Sequence, residues 1–322
     1  MNGRTFVLAA LVAAILPAPR AAAHDAQRDQ MAGEVLAAAR NAIVRKGGLP
    51  DTLTVEGTLQ RSAGRMQLDS EVEVLLQLPD KYLRIERPRG ALSGGMTTGF
   101  NGDRLITPAG AAVLPGGGMM IRVGPGGAPP PDERLSPEEQ AAAEAGLRRN
   151  ARAEISRLML GWFAAVHPAL PASYAYGGEA ESPDGRAHVI DVTGEDGFSA
   201  RLFIDQATRL PLMVTYRGPQ PRIVSTERPG AGRAQGSGGE SARTADEARR
   251  QPSEGTGEQL RAVLKEPAAV VDHTLYFDDW RDAGGMLFPH TIRRAAAGET
   301  IEEWTVTRVR VNPRLDARQC ER

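Results

Sequence analysis

The amino-acid sequence predicts an α+β protein in which one long antiparallel sheet, curved or partly closed into a barrel, is interrupted by two helices. Apolar and polar residues alternate over many segments, and only two segments show the three- to four-residue spacing of a helix. The chain of 322 residues with 41% hydrophobic side chains can bury a real core. Its 39 basic and 40 acidic residues leave no excess positive charge, so we expect no nucleic-acid partner.

The first 23 residues have the pattern of a secretory signal peptide. Arg4 precedes an apolar run at 6–16, and small residues end the segment at Ala23. This run of about 11 residues is shorter than the roughly 20 that cross a bilayer. No Cys follows the run to carry an acyl group, and the single Cys320 excludes a disulfide within the chain. We therefore expect a cleavable signal and a periplasmic protein without a lipid anchor.

The next part of the chain predicts a helix followed by antiparallel strands. Apolar residues at helical spacing indicate a helix over 31–46, which two glycines end. From residue 53 the period changes to two, and acidic residues such as Glu71 and Glu73 interleave with the apolar ones. This alternation predicts strands with one wet face over 53–59 and 66–78. Another strand is expected over 82–87, and Asn101 with Gly102 indicates a hairpin turn.

A second helix is predicted after a stretch rich in Gly and Pro. Residues 108–135 are interpreted as a long loop without secondary structure, and they lack the Lys and strand-to-helix frame of a phosphate-binding loop. Ser136, Pro137 and Glu139 then form a capping box with proline at the first helical position. The predicted helix continues to about Val166 and carries an apolar stripe along its second half.

Strands return in the second half of the chain. They are expected over 173–181, 187–193, 199–205, 210–217, 270–280, 287–294 and 300–311. Residues 218–267 are rich in Gly, Ser, Arg, Glu and Pro and are interpreted as a flexible insertion. We expect residues 30–217 and 268–313 to form a single domain, followed by a tail at 314–322.

Catalytic motifs are not apparent in the sequence. There is no zinc-ligand spacing, cofactor fingerprint or nucleophile elbow, so we expect neither a metal nor a cofactor and no enzymatic activity. The densest polar group consists of Asp272, His273, Asp278, Asp279, Asp282 and His290. A hydrolase that uses Asp272, His273 and His290 remains an alternative, although Asp residues at strand ends usually cap turns or face water.

Several short motifs occur in an order that resembles a known superfamily. They lie at 78–86, 99–103, 202–205, 210–214, 276–280, 288–290 and 311–313. Together they resemble the outer-membrane lipoprotein-sorting proteins, the superfamily of LolA, LolB and RseB-like domains. The resemblance implies an unclosed, strongly curved antiparallel β-barrel, with two main helices covering its concave side and an apolar cavity for acyl chains between them. One departure is Leu78, which stands where the carrier has an Arg that helps to close its lid.

The resemblance and the apolar pattern together predict a lipid-binding cavity. The residues expected to line it are Leu68, Val72, Val74, Leu76, Leu158, Met159, Phe163, Tyr276, Trp280 and Trp304. Acyl chains bind through apolar area removed from water and need few polar groups. The leading hypothesis is an exported, non-enzymatic carrier or binding protein for acyl chains of lipid or lipoprotein, with an inner- or outer-membrane protein as a further partner. The alternative is an envelope-stress sensor or anti-sigma regulatory domain of the same fold.

Overall fold

The computed structural model describes residues 19–45, 48–63, 66–89, 95–107, 111–114, 118–121, 136–183, 185–220 and 269–315. In these residues the helices are α1 (Pro19–Ile43) and α2 (Pro137–Phe163). The strands are β1 (Thr52–Ala63), β2 (Met66–Gln77), β3 (Lys81–Pro88), β4 (Met96–Asn101), β5 (Arg104–Ile106), β6 (Ala111–Leu114), β7 (Gly118–Ile121), β8 (Ala172–Ser182), β9 (Gly185–Gly194), β10 (Ser199–Asp205), β11 (Pro211–Pro219), β12 (Val270–Ala283), β13 (Met286–Ala296) and β14 (Glu299–Val311).

Twelve of the described strands form one antiparallel sheet in the order β5-β4-β3-β2-β1-β14-β13-β12-β11-β10-β9-β8. The first and the last described strands are neighbours in the middle of this sheet, where β1 pairs with β14. Strands β5 and β8 stand at opposite ends of the sheet and are not paired with each other, so the barrel is not closed.

The contacts of α2 show that the sheet is strongly curved. This helix touches β4 and β5 at one end of the strand order and also β10, β11 and β12 toward the other. In a flat sheet β4 and β11 would lie about 34 Å apart, at about 4.8 Å per strand. The two α2 residues that contact aromatic rings on these strands, Arg152 at Phe100 and Arg157 at Tyr216, are only five positions apart, which is about 7.5 Å along the helix axis. The sheet must therefore wrap around α2. The predicted fold class, an unclosed antiparallel β-barrel with two helices, is confirmed.

Helix α2 begins where the sequence predicts. The Ser136 hydroxyl accepts a hydrogen bond from the Glu139 backbone N–H at 3.3 Å, and a Glu139 carboxylate oxygen accepts one from the Ser136 N–H at 2.9 Å. The second half of α2 is buried against the inner face of the sheet, from Ile155 to Phe163. Its first half is mostly exposed or half-buried.

Helix α1 packs mainly on the edge strand β8. Its buried residues recur every three or four positions, as expected for one apolar face: Ala32, Leu36, Ala39 and Ile43. The Arg40 guanidinium donates hydrogen bonds to the Ala164 carbonyl oxygen at 3.0 and 3.2 Å, which ties α1 to the end of α2. The helix starts well before the predicted 31–46 segment and ends at Ile43. No helix in the described part of the chain is long and apolar enough to cross a membrane.

Two predicted boundaries are corrected by the structure. Strands β6 and β7 pair as a hairpin inside the segment 108–135, which the sequence predicts as a loop without secondary structure. Two short apolar runs, at 111–114 and 119–121, flank the glycines there and favour strands. Strand β11 runs to Pro219, into the predicted insertion 218–267. The rest of that insertion, the signal segment before residue 19 and the tail after residue 315 lie outside the described residues.

Candidate functional site

Charged side chains interrupt the apolar inner face of the sheet. The alternation that directs Tyr82 inward also directs Arg84 and Glu86 of β3 inward, and all three are buried. Arg294 on β13 and Glu302 on β14 likewise face the interior, with side chains only 14% exposed. Because charged residues are rarely buried without partners, this cluster calls for a structural or functional explanation.

These inward charges form one ion-paired group, here named the inner ion cluster: Arg61, Arg84, Glu86, Glu154, Arg294 and Glu302. Arg84 is central, because its Nε lies 2.7 Å from Glu86 Oε1 and its Nη2 lies 3.0 Å from Glu302 Oε1. Arg61 Nη1 reaches Glu86 Oε2 at 3.3 Å. Glu154 joins the cluster from α2 by pairing with Arg294. The cluster therefore links both halves of the sheet to α2.

Attraction between opposite charges favours the charged forms of Glu302, Arg84 and Glu154 in the inner ion cluster. Burial raises the pKa of Glu302, but the attraction of Arg84 and Arg294 outweighs it and lowers this pKa to about 2. Burial likewise opposes the charged form of Arg84, yet Glu86 and Glu302 raise its pKa above the ordinary value. The pKa of Glu154 is lowered in the same way by Arg294, against the effect of burial. The formal charges of the three arginines and the three glutamates in the cluster cancel.

A cleft of about 320 Å³ opens above the inner ion cluster, between strands β3 and β4 and the first half of α2. Its floor is formed by the charged groups of the sheet. Its wall on α2 carries Leu147 and Ala151, and Tyr82 faces it from β3. The lining residues are Arg61, Tyr82, Arg84, Glu86, Thr98, Leu147, Asn150, Ala151, Glu154, Arg294 and Glu302. The cleft therefore combines a small apolar patch on α2, formed by Leu147 and Ala151, with an ionic floor.

Most of the side chains predicted to line a cavity lie instead in the main core. Seven of them are at most 2% exposed: Val72, Val74, Leu76, Leu158, Met159, Phe163 and Trp304. They pack with one another and with Trp162 and Phe288 in a single apolar cluster. The pocket that Leu158 and Trp304 line measures about 10 Å³, roughly the space of one water. In this conformation the apolar layer beneath the inner ion cluster is filled.

The other three predicted residues lie in different surroundings. Leu68 is half-buried on β2 opposite Arg61, at the margin of the core. Trp280 is partly buried against the core and follows Asp279, whose φ is +57°. Tyr276 faces outward, because it alternates with the buried Leu275 and Phe277. The Arg293 guanidinium carbon lies 5.0 Å from the centre of the Tyr276 ring. In this register Tyr276 therefore lies on the face of β12 opposite to Leu275 and Phe277.

The three residues of the hydrolase alternative, Asp272, His273 and His290, contact other groups in the described part of the chain. The His273 ring stacks on Tyr216, with centroids 4.9 Å apart, and its Nε2 lies 3.1 Å from the Pro219 carbonyl oxygen. Asp272 pairs with Arg217 at 3.6 Å. His290 Nδ1 lies 3.0 Å from the Phe288 carbonyl oxygen on its own strand. Among the described contacts, these groups do not form the carboxylate–imidazole pair that the alternative requires.

Fold and site together define an α+β protein whose unclosed sheet curves around a helix and leaves an ion-floored cleft at one side. No protein-family model and no curated protein matches the chain. Among solved structures it is similar to a LolA superfamily protein of Nitrosomonas europaea, with 12% identity, a TM-score of 0.46, and coverage of 90% of this chain and 96% of the other.

Two further solved structures are similar over 90% of this chain. A DUF1329 family protein of Desulfovibrio piger has 9% identity and a TM-score of 0.45, with 95% of its length covered. The MucA/MucB complex of Pseudomonas aeruginosa gives 10% identity and a TM-score of 0.24, with 60% of the matched chain covered. These likenesses concern the fold alone.

Proposed function

We propose that this protein is an exported, non-enzymatic binding protein for the acyl chains of lipids or lipoproteins, which enter at the cleft between β3, β4 and α2. The observation that carries the proposal is that this cleft places a small apolar patch, Leu147 and Ala151, beside an ionic floor. An acylated molecule has the same combination, with a hydrocarbon chain at one end and a polar group at the other. The export step rests on the signal pattern of residues 1–23.

The physical chemistry of the cleft fits part of such a ligand. Its volume of about 320 Å³ stands at the lower end of the range of small-molecule sites, about 300–1,000 Å³. A hydrocarbon segment against Leu147 and Ala151 would gain about 25 cal/mol for each Å² of apolar area removed from water. A polar head group would lie over the inner ion cluster, where both donors and acceptors are present.

Uptake of a whole acyl chain requires α2 to move away from the sheet. The first half of α2 contributes little to the core, because Ala143 is its one buried residue before Ile155. Segments with few buried contacts open at lower free energy than the rest of a protein. An outward movement of this first half would widen the cleft toward Leu158 and Met159, which lie in the buried part of α2 and which the sequence predicts as cavity residues.

Binding of a dansyl-labelled fatty acid tests the proposal. We expect saturable uptake with a rise in dansyl fluorescence, and displacement by unlabelled fatty acid. The Ala151→Trp protein should bind about tenfold or more weakly, because the indole occupies the cleft and a loss of about 1.4 kcal/mol is already tenfold. The matched control is Ala37→Trp on the exposed side of α1, which should bind like the unmodified protein.

Two results would contradict the proposal. The first is an unmodified protein that takes up no labelled fatty acid and, when purified from its own host, shows no bound lipid by native mass spectrometry. The second is equal binding by the Ala151→Trp and unmodified proteins, which would place any acyl site elsewhere. Far-ultraviolet circular dichroism of each variant shows whether the fold is retained.

A further inference from the structure

Arg157 on α2 is held in an aromatic setting without an acidic partner in the described part of the chain. Its guanidinium carbon lies 4.0 Å from the centre of the Tyr216 ring and 5.3 Å from that of Phe198. Its Nε is buried and has no hydrogen-bond partner there. The neighbouring Glu154 carboxylate is already engaged by Arg294. Arg157 therefore has guanidinium donors that the described protein groups do not use.

A small cleft of about 150 Å³ opens beside Arg157. It lies between α2, the segment that follows α2 and the turn at Glu195–Gly197, and it shares only Asn150 with the larger cleft of the proposed acyl site. Its lining residues are Arg149, Asn150, Arg152, Ala153, Arg157, Ala169, Leu170, Glu195, Asp196, Gly197 and Phe198.

Three arginines give this cleft its character. Arg149 and Arg152 stand three positions apart on α2, and Arg157 follows eight positions after Arg149, about 80° from it around the helix axis. All three line the cleft. Arg149 is exposed. The Nη2 of Arg152 donates hydrogen bonds to the Gly102 carbonyl oxygen and to the Asp103 carboxylate. The Nε of Arg152 has no hydrogen-bond partner among the described residues. The carboxylates of Glu195 and Asp196 belong to an exposed turn at the rim.

An anion would supply the hydrogen-bond acceptors and the negative charge that Arg157 lacks among the described residues. Burial lowers the pKa of Arg157, against the smaller opposing effect of Glu154, which shows that the folded protein disfavours this charge. Guanidinium groups bind phosphate and carboxylate oxygens through paired N–H donors, and these bonds are stronger than neutral ones. Several guanidinium groups around one small cleft favour a doubly charged group over a singly charged one.

We propose that the cleft beside Arg157 binds a phosphate group, with Arg157 as its main anchor and Arg149 and Arg152 adding positive charge. The volume of about 150 Å³ suits a single small oxyanion and is below the usual range of larger organic ligands. The phosphate belongs either to a small soluble compound or to a lipid head group. This proposal does not depend on acyl binding.

Isothermal titration calorimetry with inorganic phosphate at low ionic strength tests the site. We expect saturable binding of one phosphate per protein, and binding about tenfold or more weaker in the Arg157→Gln protein, because hydrogen bonds to charged groups are among the stronger ones. The matched control is Arg186→Gln, which removes an exposed arginine paired with Glu181 outside the cleft and should leave the affinity unchanged.

A second variant keeps the proposal open to refutation if Arg157→Gln does not fold. Replacing the rim carboxylates together, Glu195→Gln with Asp196→Asn, removes two exposed negative charges and should tighten phosphate binding several-fold. Asn tolerates the left-handed backbone at position 196, where φ is +56°. An unchanged or weaker affinity in this double variant would overturn the proposal.

Two probes distinguish the source of the phosphate. Vesicles that contain phosphatidic acid, whose phosphate monoester can carry two charges, are compared with vesicles of phosphatidylcholine, and they identify a lipid head group if inorganic phosphate displaces the protein from them. Binding of inorganic phosphate without vesicle binding identifies a soluble phosphate compound. Equal affinity for acetate and phosphate, or no saturable phosphate binding by the unmodified protein, would overturn the assignment.

Discussion

For each residue of the inner ion cluster, the cost of burying a charge opposes the gain from pairing it with an opposite charge. Each charged group loses hydration on burial, and the attraction between partners only roughly offsets that loss, so an intact buried ion pair contributes little net stability. Removing one partner is different, because the others then remain charged, buried and unpaired. Removing the charge of Glu302 should have a large effect of this kind, since Glu302 pairs with three arginines: Arg84, Arg61 and Arg294.

We therefore predict that Glu302→Gln destabilises the protein by about 3 kcal/mol or more, the usual loss when a buried ion pair is broken from one side. Urea unfolding followed by circular dichroism measures the change. Glu303→Gln is the control, because Glu303 is the next residue on β14 and is exposed. It should change the free energy of unfolding by no more than about 0.5 kcal/mol. Equal effects of the two substitutions would show that the cluster is not energetically special.

At the scale of elements, α2 lies against β12 at a distance that only glycine allows. A Cβ atom added at Gly161 would lie 2.0 Å from the Phe277 ring, which is itself 1% exposed. The aromatic ring thus fills the place of a side chain on the helix. The second glycine of interest, Gly33, is exposed on α1 and would have no atom within 4 Å of an added Cβ.

These two glycines predict opposite results for the same substitution. Gly161→Ala should destabilise the protein, because displacing a packed ring typically costs about 1–3 kcal/mol. Gly33→Ala should stabilise it by up to about 1 kcal/mol, the difference in helix propensity between the residues. Thermal unfolding of the two variants compares them directly. A stabilising Gly161→Ala would mean that Phe277 moves freely and that α2 is not firmly seated on β12.

For the whole molecule, local chemistry predicts the elements well, because periodicity and capping act over a few residues. The capping box at Ser136 is confirmed as the start of α2. The alternation around Val72 and Val74 is confirmed as a strand that buries these two side chains. The hairpin turn predicted at Asn101 and Gly102 is also confirmed, since β4 pairs with β5 there and Gly102 has positive φ. The hairpin of β6 and β7 was missed because glycine and proline dominate the composition around it.

The site depends on long-range contacts and could be predicted only in part. The inner ion cluster joins Arg84 to Glu302, which are 218 residues apart, and no local pattern reveals such a pair. One signal was present, because Arg84 falls at an inward position of β3, where an apolar residue is expected. The outward direction of Tyr276 depends on the pairing of β12 with β13, which is settled only in the folded sheet.

His167 ties the end of α2 to the sheet and makes the stability of the whole molecule depend on pH. Its Nδ1 accepts a hydrogen bond from the Ala169 N–H at 3.1 Å, so the folded protein requires this nitrogen to be unprotonated. The edge of the imidazole meets Phe100 of β4, with centroids 5.3 Å apart. Burial, with a smaller effect from Arg152, lowers the pKa of His167 from 6.5 to about 4.

The direction of the pH effect follows from this shift. Below pH 6.5 the unfolded chain binds a proton at His167 and the folded chain does not, so the free energy of unfolding should fall as the pH decreases from about 6.5 to about 4. At about 1.4 kcal/mol per pKa unit the full loss is about 3.5 kcal/mol. Urea unfolding at pH 7.5 and pH 4.5 should show most of this loss in the unmodified protein and a smaller one in His167→Gln, which cannot take up the proton. Equal pH dependence in the two proteins would mean that His167 is protonated in the folded state, and that the contact with Phe100 does not exclude the charged form.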